Sequence, residues 1–108
     1  MNGQFLEIAG RVVFDADRAA KVDLIRGSTL FLGLNTFEAG QRQAPHVHHG
    51  TDKFYLLLSG KARMIVGEET REVVPGTLVW APADEPHGVV EALERTVMLV
   101  GMAPPPRR

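Results

Sequence analysis

The chain has 108 residues, enough for one hydrophobic core and too few for two. Hydrophobic residues make up 44% and charged residues 23%, a balance that excludes a disordered or membrane-embedded chain. Twelve basic and 13 acidic side chains leave a net charge of -1 without a clustered basic face, which argues against a nucleic-acid partner, and the lack of cysteine removes disulfides, thiolate metal sites and cysteine nucleophiles.

The first residues, Met-Asn-Gly-Gln-Phe-Leu-Glu-Ile, lack the basic start and apolar run of a signal peptide. No stretch approaches the ~18 apolar residues of a membrane span. The expectation is a cytoplasmic protein with no membrane partner.

Along the chain the dominant hydrophobic period is two, in short runs separated by Gly, Pro, Asp or Ser, which predicts an all-β domain of antiparallel strands. A first strand is expected over Phe5–Val13. The following Asp15–Lys21 is the weakest helical candidate, with Asp15 as a cap for one or two turns, and is equally readable as a loop. Further strands are expected over Val22–Arg26, Thr29–Phe37, Ala44–His48, Phe54–Leu58 and Ala62–Val66. The remainder are Arg71–Val74, Thr77–Trp80, Gly88–Glu91 and Thr96–Met102. Ser59-Gly60 fits a tight hairpin, Gly67-Glu68-Glu69 a slightly longer one and Pro75-Gly76 a turn, a succession that favours a meander or jelly roll. The barrel domain is expected to cover residues 1–102. Residues 103–108, with three consecutive prolines and the Arg107-Arg108 pair, read as an exposed tail.

His46 and His48 lie two apart in an extended segment, so both imidazoles point to the same face and can reach one ion. His49 has the opposite parity and should face away. The third member, His87, lies in Pro82-Ala83-Asp84-Glu85-Pro86-His87-Gly88, at the end of a loop flanked by prolines that leave its backbone few conformations. Three neutral imidazoles suit one divalent transition ion (Fe, Mn, Ni, Co, Cu or Zn) and leave coordination positions open for water or substrate.

Two runs of residues resemble the paired motifs of the cupin superfamily. Gly40-x5-His46-x-His48-x4-Lys53-x6-Gly60 is similar to the first, Gly-x5-His-x-His-x3/4-Glu-x6-Gly. Gly76-x5-Pro82-x-Asp84-x2-His87-x3-Glu91 is similar to the second, Gly-x5-Pro-x-Gly-x2-His-x3-Asn. The order is right, and the core motifs span residues 40–91. The resemblance implies a small jelly-roll β-barrel with a metal ion held by the histidines, and a homodimer paired through sheet edges, with the N-terminal strand a candidate for exchange.

Departures from the pattern bear on the chemistry. Lys53 stands where the family's glutamate ligand is expected, Asp84 replaces a glycine and Glu91 an asparagine. An ammonium beside a dication is repelled, so Lys53 either points away, loses its proton or marks weakened metal binding. Asp52 carries a carboxylate but has the wrong parity for an inward ligand unless a bulge turns it. A three-histidine site is the better reading.

Parity counted from Lys53 puts Tyr55 and Leu57 inside, facing Ala62, Met64 and Val66, and these are expected to line the cavity. Tyr55 is the stronger candidate for ligand contact, because a buried hydroxyl needs a partner. Trp80 and Phe37 are expected in the core or a dimer interface. The leading expectation is a metal-dependent dioxygenase, isomerase or lyase acting on a small polar or carboxylated molecule, with Lys53 and Tyr55 as catalytic groups. The alternative is a non-enzymatic small-molecule-binding cupin, metal-free because Lys53 replaces the usual glutamate.

Overall fold

A computed structural model describes residues 3–107. Met1 and Asn2, at the start of the expected domain, and Arg108, the last residue of the expected tail, lie outside the described residues. Nine strands run through the described residues: β1 (Ala20–Arg26), β2 (Phe31–Phe37), β3 (Gln43–His46), β4 (Asp52–Ser59), β5 (Ala62–Val66), β6 (Glu69–Val73), β7 (Leu78–Ala81), β8 (His87–Ala92) and β9 (Thr96–Ala103). Antiparallel pairing arranges them in two sheets, β1-β2-β9-β4-β7 and β3-β8-β5-β6. This is the expected all-β jelly roll. No helix among the described residues is long and apolar enough to cross a membrane.

Alternation along β4 shows how the sequence builds the interior. Lys53, Tyr55 and Leu57 are buried, while Asp52 and Ser59 are exposed. Opposite and beside this row stand Phe31 and Phe37 of β2, Met98, Val100 and Met102 of β9, Met64 of β5 and Val89 of β8, which form one apolar cluster. Phe37 is fully buried, as expected; Trp80 is 55% exposed on edge strand β7 and is therefore not a core residue. Gly60, at φ 89°, makes the β4–β5 turn where an added Cβ would run into the Arg95 carbonyl and Thr96. The β5–β6 hairpin is tighter than expected, with only Gly67 and Glu68 between the strands.

The strand expected over Phe5–Val13 is absent. Only a 3-10 turn, Ile8–Arg11, interrupts an extended segment whose Phe5 is wholly exposed. This segment covers β2 from outside: Thr36 Oγ1 donates to the Val13 carbonyl at 2.6 Å and Gln41 Nε2 to that of Asp15 at 2.8 Å. No helix forms over Asp15–Lys21 either. Asp15 Oδ1 accepts from Asp17 N–H at 2.8 Å, a local turn that competes with a helical start, and Ala20 and Lys21 extend β1 instead.

After β9 the proline run does not simply stand in solvent. Pro105 and Pro106 are half-buried, and Arg26 Nη2 donates to the Pro106 carbonyl at 2.6 Å.

Candidate metal centre

Sheet register brings the three histidines together. His46 and His87 are directly paired Cα partners across β3 and β8, and Gly88 lets the two strands close up, since a Cβ there would lie 2.7 Å from the Gln43 carbonyl. His48 follows two residues beyond His46, just past the end of β3. Asp84 N–H donates to the His48 carbonyl at 3.0 Å and ties its loop to the one that carries His87. Asp84 itself adopts φ 71°, a left-handed backbone that accounts for the glycine expected there and that aspartate tolerates better than most residues.

Potential ligand atoms of the three residues lie within 4.8 Å of one another, and ring centroids are 4.4, 4.8 and 5.5 Å apart. Two rings have their inner nitrogens assigned by the backbone. His46 Nδ1 sits 3.0 Å from the Ala44 carbonyl and His87 Nδ1 2.9 Å from that of Glu85. A carbonyl only accepts, so both Nδ1 atoms carry the proton and both Nε2 atoms offer a lone pair. His87 Nε2 is buried with no hydrogen-bond partner among the described residues. An orphaned buried acceptor is uncommon, and a cation at the common focus of three imidazoles would satisfy it. The residues therefore fit a metal ion.

Electrostatics keep these rings neutral, the form in which they coordinate. Burial, followed by the positive charge of Lys53, pushes His48 down to about 4. His46 and His87 are lowered as well, chiefly by burial.

Lys53 is 3% exposed, so its side chain points inward as its parity requires. No carboxylate among the described residues is in salt-bridge contact with it; its Nζ rests 4.6 Å from the centre of the Tyr55 ring. Burial, with a contribution from Lys21, lowers it to about 8. Tyr55 is fully buried and its hydroxyl donates to Gln43 Oε1 at 3.0 Å, so that hydroxyl is already committed. Burial raises it further from ionisation. Asp52 faces away from the histidines and accepts from Ala83 N–H at 2.9 Å, which removes it as a fourth ligand and makes it a brace for the His87 loop. His49 also faces away, 3.0 Å from Asp84 Oδ1.

A cavity of about 210 Å³ opens beside His48 and Lys53. It is walled by β1, β2, β4 and β9 with His48, Pro106 and Arg107, so Tyr55, Leu57, Ala62, Met64 and Val66, expected on its lining, are not there; Tyr55, Leu57, Ala62 and Met64 pack into the core instead. Sequence reasoning missed Lys21, Arg26, Asn35 and Arg107 on this wall. Only Asn35 carried a signal, through its shared parity with Phe31 and Phe37 in β2.

A cupin-domain family profile matches residues 33–101. The chain belongs to the cupin family. An uncharacterized protein of Streptomyces coelicolor is 33% identical to it over 97 residues, which cover 84% of this cupin and 90% of that protein. A solved structure from Thermus thermophilus superposes with a TM-score of 0.88 at 33% identity, covering 94% of this chain and 98% of its own. An RmlC-like cupin from Desulfovibrio desulfuricans gives 0.83 at 27% identity, with 98% and 99% covered. The cupin fold and the close histidine trio thus rest on agreeing lines of observation.

Proposed function

We propose that this cupin is a metal-dependent enzyme of the isomerase or lyase type, acting on a small polar or carboxylated molecule. The observation that carries the proposal is the convergence of His46, His48 and His87 around a buried His87 Nε2 that has no hydrogen-bond partner among the described residues. A divalent ion held there supplies Lewis-acid polarisation of a substrate oxygen. Three imidazoles accept Fe, Mn, Ni, Co, Cu or Zn, so the donor set alone does not select among them.

Lys53 is the group assigned to proton transfer. With a value of about 8 it exchanges a proton readily near neutrality, and it lies on the cavity wall with His48. This supports isomerase or lyase chemistry, in which a carbon-bound proton moves, over the dioxygenase expected as an equal choice. Tyr55 is proposed as a positioning residue: its ring face holds the Lys53 ammonium and its hydroxyl is anchored on Gln43. Pairing of two copies is proposed through edge strand β7, where Leu78 and Trp80 are 64% and 55% exposed, and sedimentation reads it directly.

The lysine in place of a carboxylate favours a second reading, a metal-free binder of small molecules. Metal analysis of untagged protein separates the two. The enzyme reading expects one ion per chain, lost in His48→Ala by more than roughly a hundredfold in affinity, while no stoichiometric uptake by the wild type after reconstitution sinks it.

A further inference from the structure

Building on the metal-centre reading, we infer that the cavity beside His48 is an oxyanion subsite, so the ligand is a small molecule with two oxygen-rich groups. One group belongs to the histidines and the other, a carboxylate or a phosphate, to the cavity.

The charge on the wall is one-sided. Among the described residues, Lys21, Arg26, Lys53 and Arg107 share this wall with a single acid, Asp23, an excess of three positive charges around a cavity of about 210 Å³. Ordinary surface charges on a domain with a net charge of -1 alternate in sign, so the concentration is a local feature.

The buried polar groups on the same wall say what is missing. Asn35 is 5% exposed, and its Nδ2 has no hydrogen-bond partner among the described residues. Lys53 is 3% exposed with no salt bridge among the described residues. A carboxamide nitrogen and an ammonium only donate, so the absent partner is an acceptor, and the acceptor that also answers the charge is an oxyanion. Phe31, Val100 and Met102 supply an apolar floor for a short carbon frame. The volume is below the roughly 300–1,000 Å³ of pockets for drug-sized ligands, which limits that frame to a few carbons.

Pro106 and Arg107 complete the subsite. The Arg26 guanidinium lies 5.6 Å from the centre of the Phe31 ring and donates to the Pro106 carbonyl at 2.6 Å. That contact ties Pro106, and with it Arg107, to the cavity wall. A guanidinium can grip a carboxylate or phosphate through two parallel N–H bonds.

Lactate, malate and 3-phosphoglycerate share a 2-hydroxycarboxylate and differ at the far end, so calorimetric titration of Mn²⁺-loaded protein with each reads the cavity apart from the histidines. Malate or 3-phosphoglycerate is expected to bind at least about tenfold more tightly than lactate. The tighter of the two names the oxyanion. The exposed-residue variants Lys21→Gln and Arg107→Gln should together remove most of that gain and leave lactate unchanged. Equal affinity for the three acids, no binding of any, or a loss on lactate as large as on malate overturns the inference. The titrations are repeated on metal-free protein, where the two-anion ligands should still bind ahead of lactate. Failure to take up Mn²⁺ thus counts against the proposed function alone, and the malate-to-lactate ratio decides the subsite.

Discussion

The interior of this barrel is two different environments that share some of their strands. On the packed side Leu57, Ala62, Met64, Val73, Val89 and Met98 fill space with carbon, each nearly inaccessible to solvent. On the open side Lys53, Asn35 and His87 are just as deeply buried, yet among the described residues they hold an ammonium without a salt bridge and two nitrogens without hydrogen-bond partners. β4 belongs to both, because Lys53, Tyr55 and Leu57 are successive members of one inward row. The packed side stabilises the fold and the open side costs stability, the pattern expected where a bound ligand supplies the missing partners.

The sharpest way to break this contrast is to damage the packed side. Phe37→Ala removes a fully buried ring and should destabilise the protein by about 3–5 kcal/mol in denaturant unfolding. Metal affinity of the fraction that remains folded should be unchanged. A matching loss of metal affinity would show that the two sides are not separable.

A smaller effect of opposite sign is expected on the open side. Lys53 is lowered to about 8, so keeping it protonated inside the fold costs free energy at neutral pH. Lys53→Met should therefore stabilise the protein, on the order of 2 kcal/mol, while abolishing turnover. A destabilised variant would move Lys53 to the structural side of the comparison.

The smallest expected effect is a pH slope. Burial lowers His48 to about 4 in the folded protein, against 6.5 for the ordinary imidazole, and shifts His46 and His87 the same way. Between those values the unfolded chain binds more protons than the folded one, so metal-free stability rises with pH across that window and is lost as pH falls through it. Denaturant midpoints of metal-free protein measure the slope, and His48→Gln should flatten it. A flat wild-type profile would mean that the rings are solvated.

Much of this division was legible in the sequence, for physical reasons that differ by element. β4 and β5 could be read from their period of two, and the histidine trio from residue types at fixed spacing, because strand parity turns spacing directly into direction. The segment 5–13 misled because its apolar residues serve a surface crossing over β2 instead of a ladder, and nothing local distinguishes the two. Asp52 and Tyr55 were legible in orientation but not in partner: a backbone N–H from Ala83 and the side chain of Gln43 come from distant parts of the chain. The cavity's cations were hidden for the same reason, since Lys21, Lys53 and Arg107 become neighbours only when β1, β4 and the segment after β9 meet.

The direct pairing of His46 with His87 has a mechanical side. β3 is a four-residue strand on the outer edge of its sheet, joined to β8 at only two register positions, Gln43 to Val89 and His46 to His87, with an irregularity between them. That is a short seam, prolonged only by backbone hydrogen bonds from Gly40 N–H to the Ala92 carbonyl and from Ala92 N–H to that of Gln41, and such edges invite slippage or pairing with foreign strands. Two of the three imidazoles straddle it. Whatever draws those rings together also fastens the seam, so slippage of β3 by one residue would open an edge and dismantle the centre in the same movement.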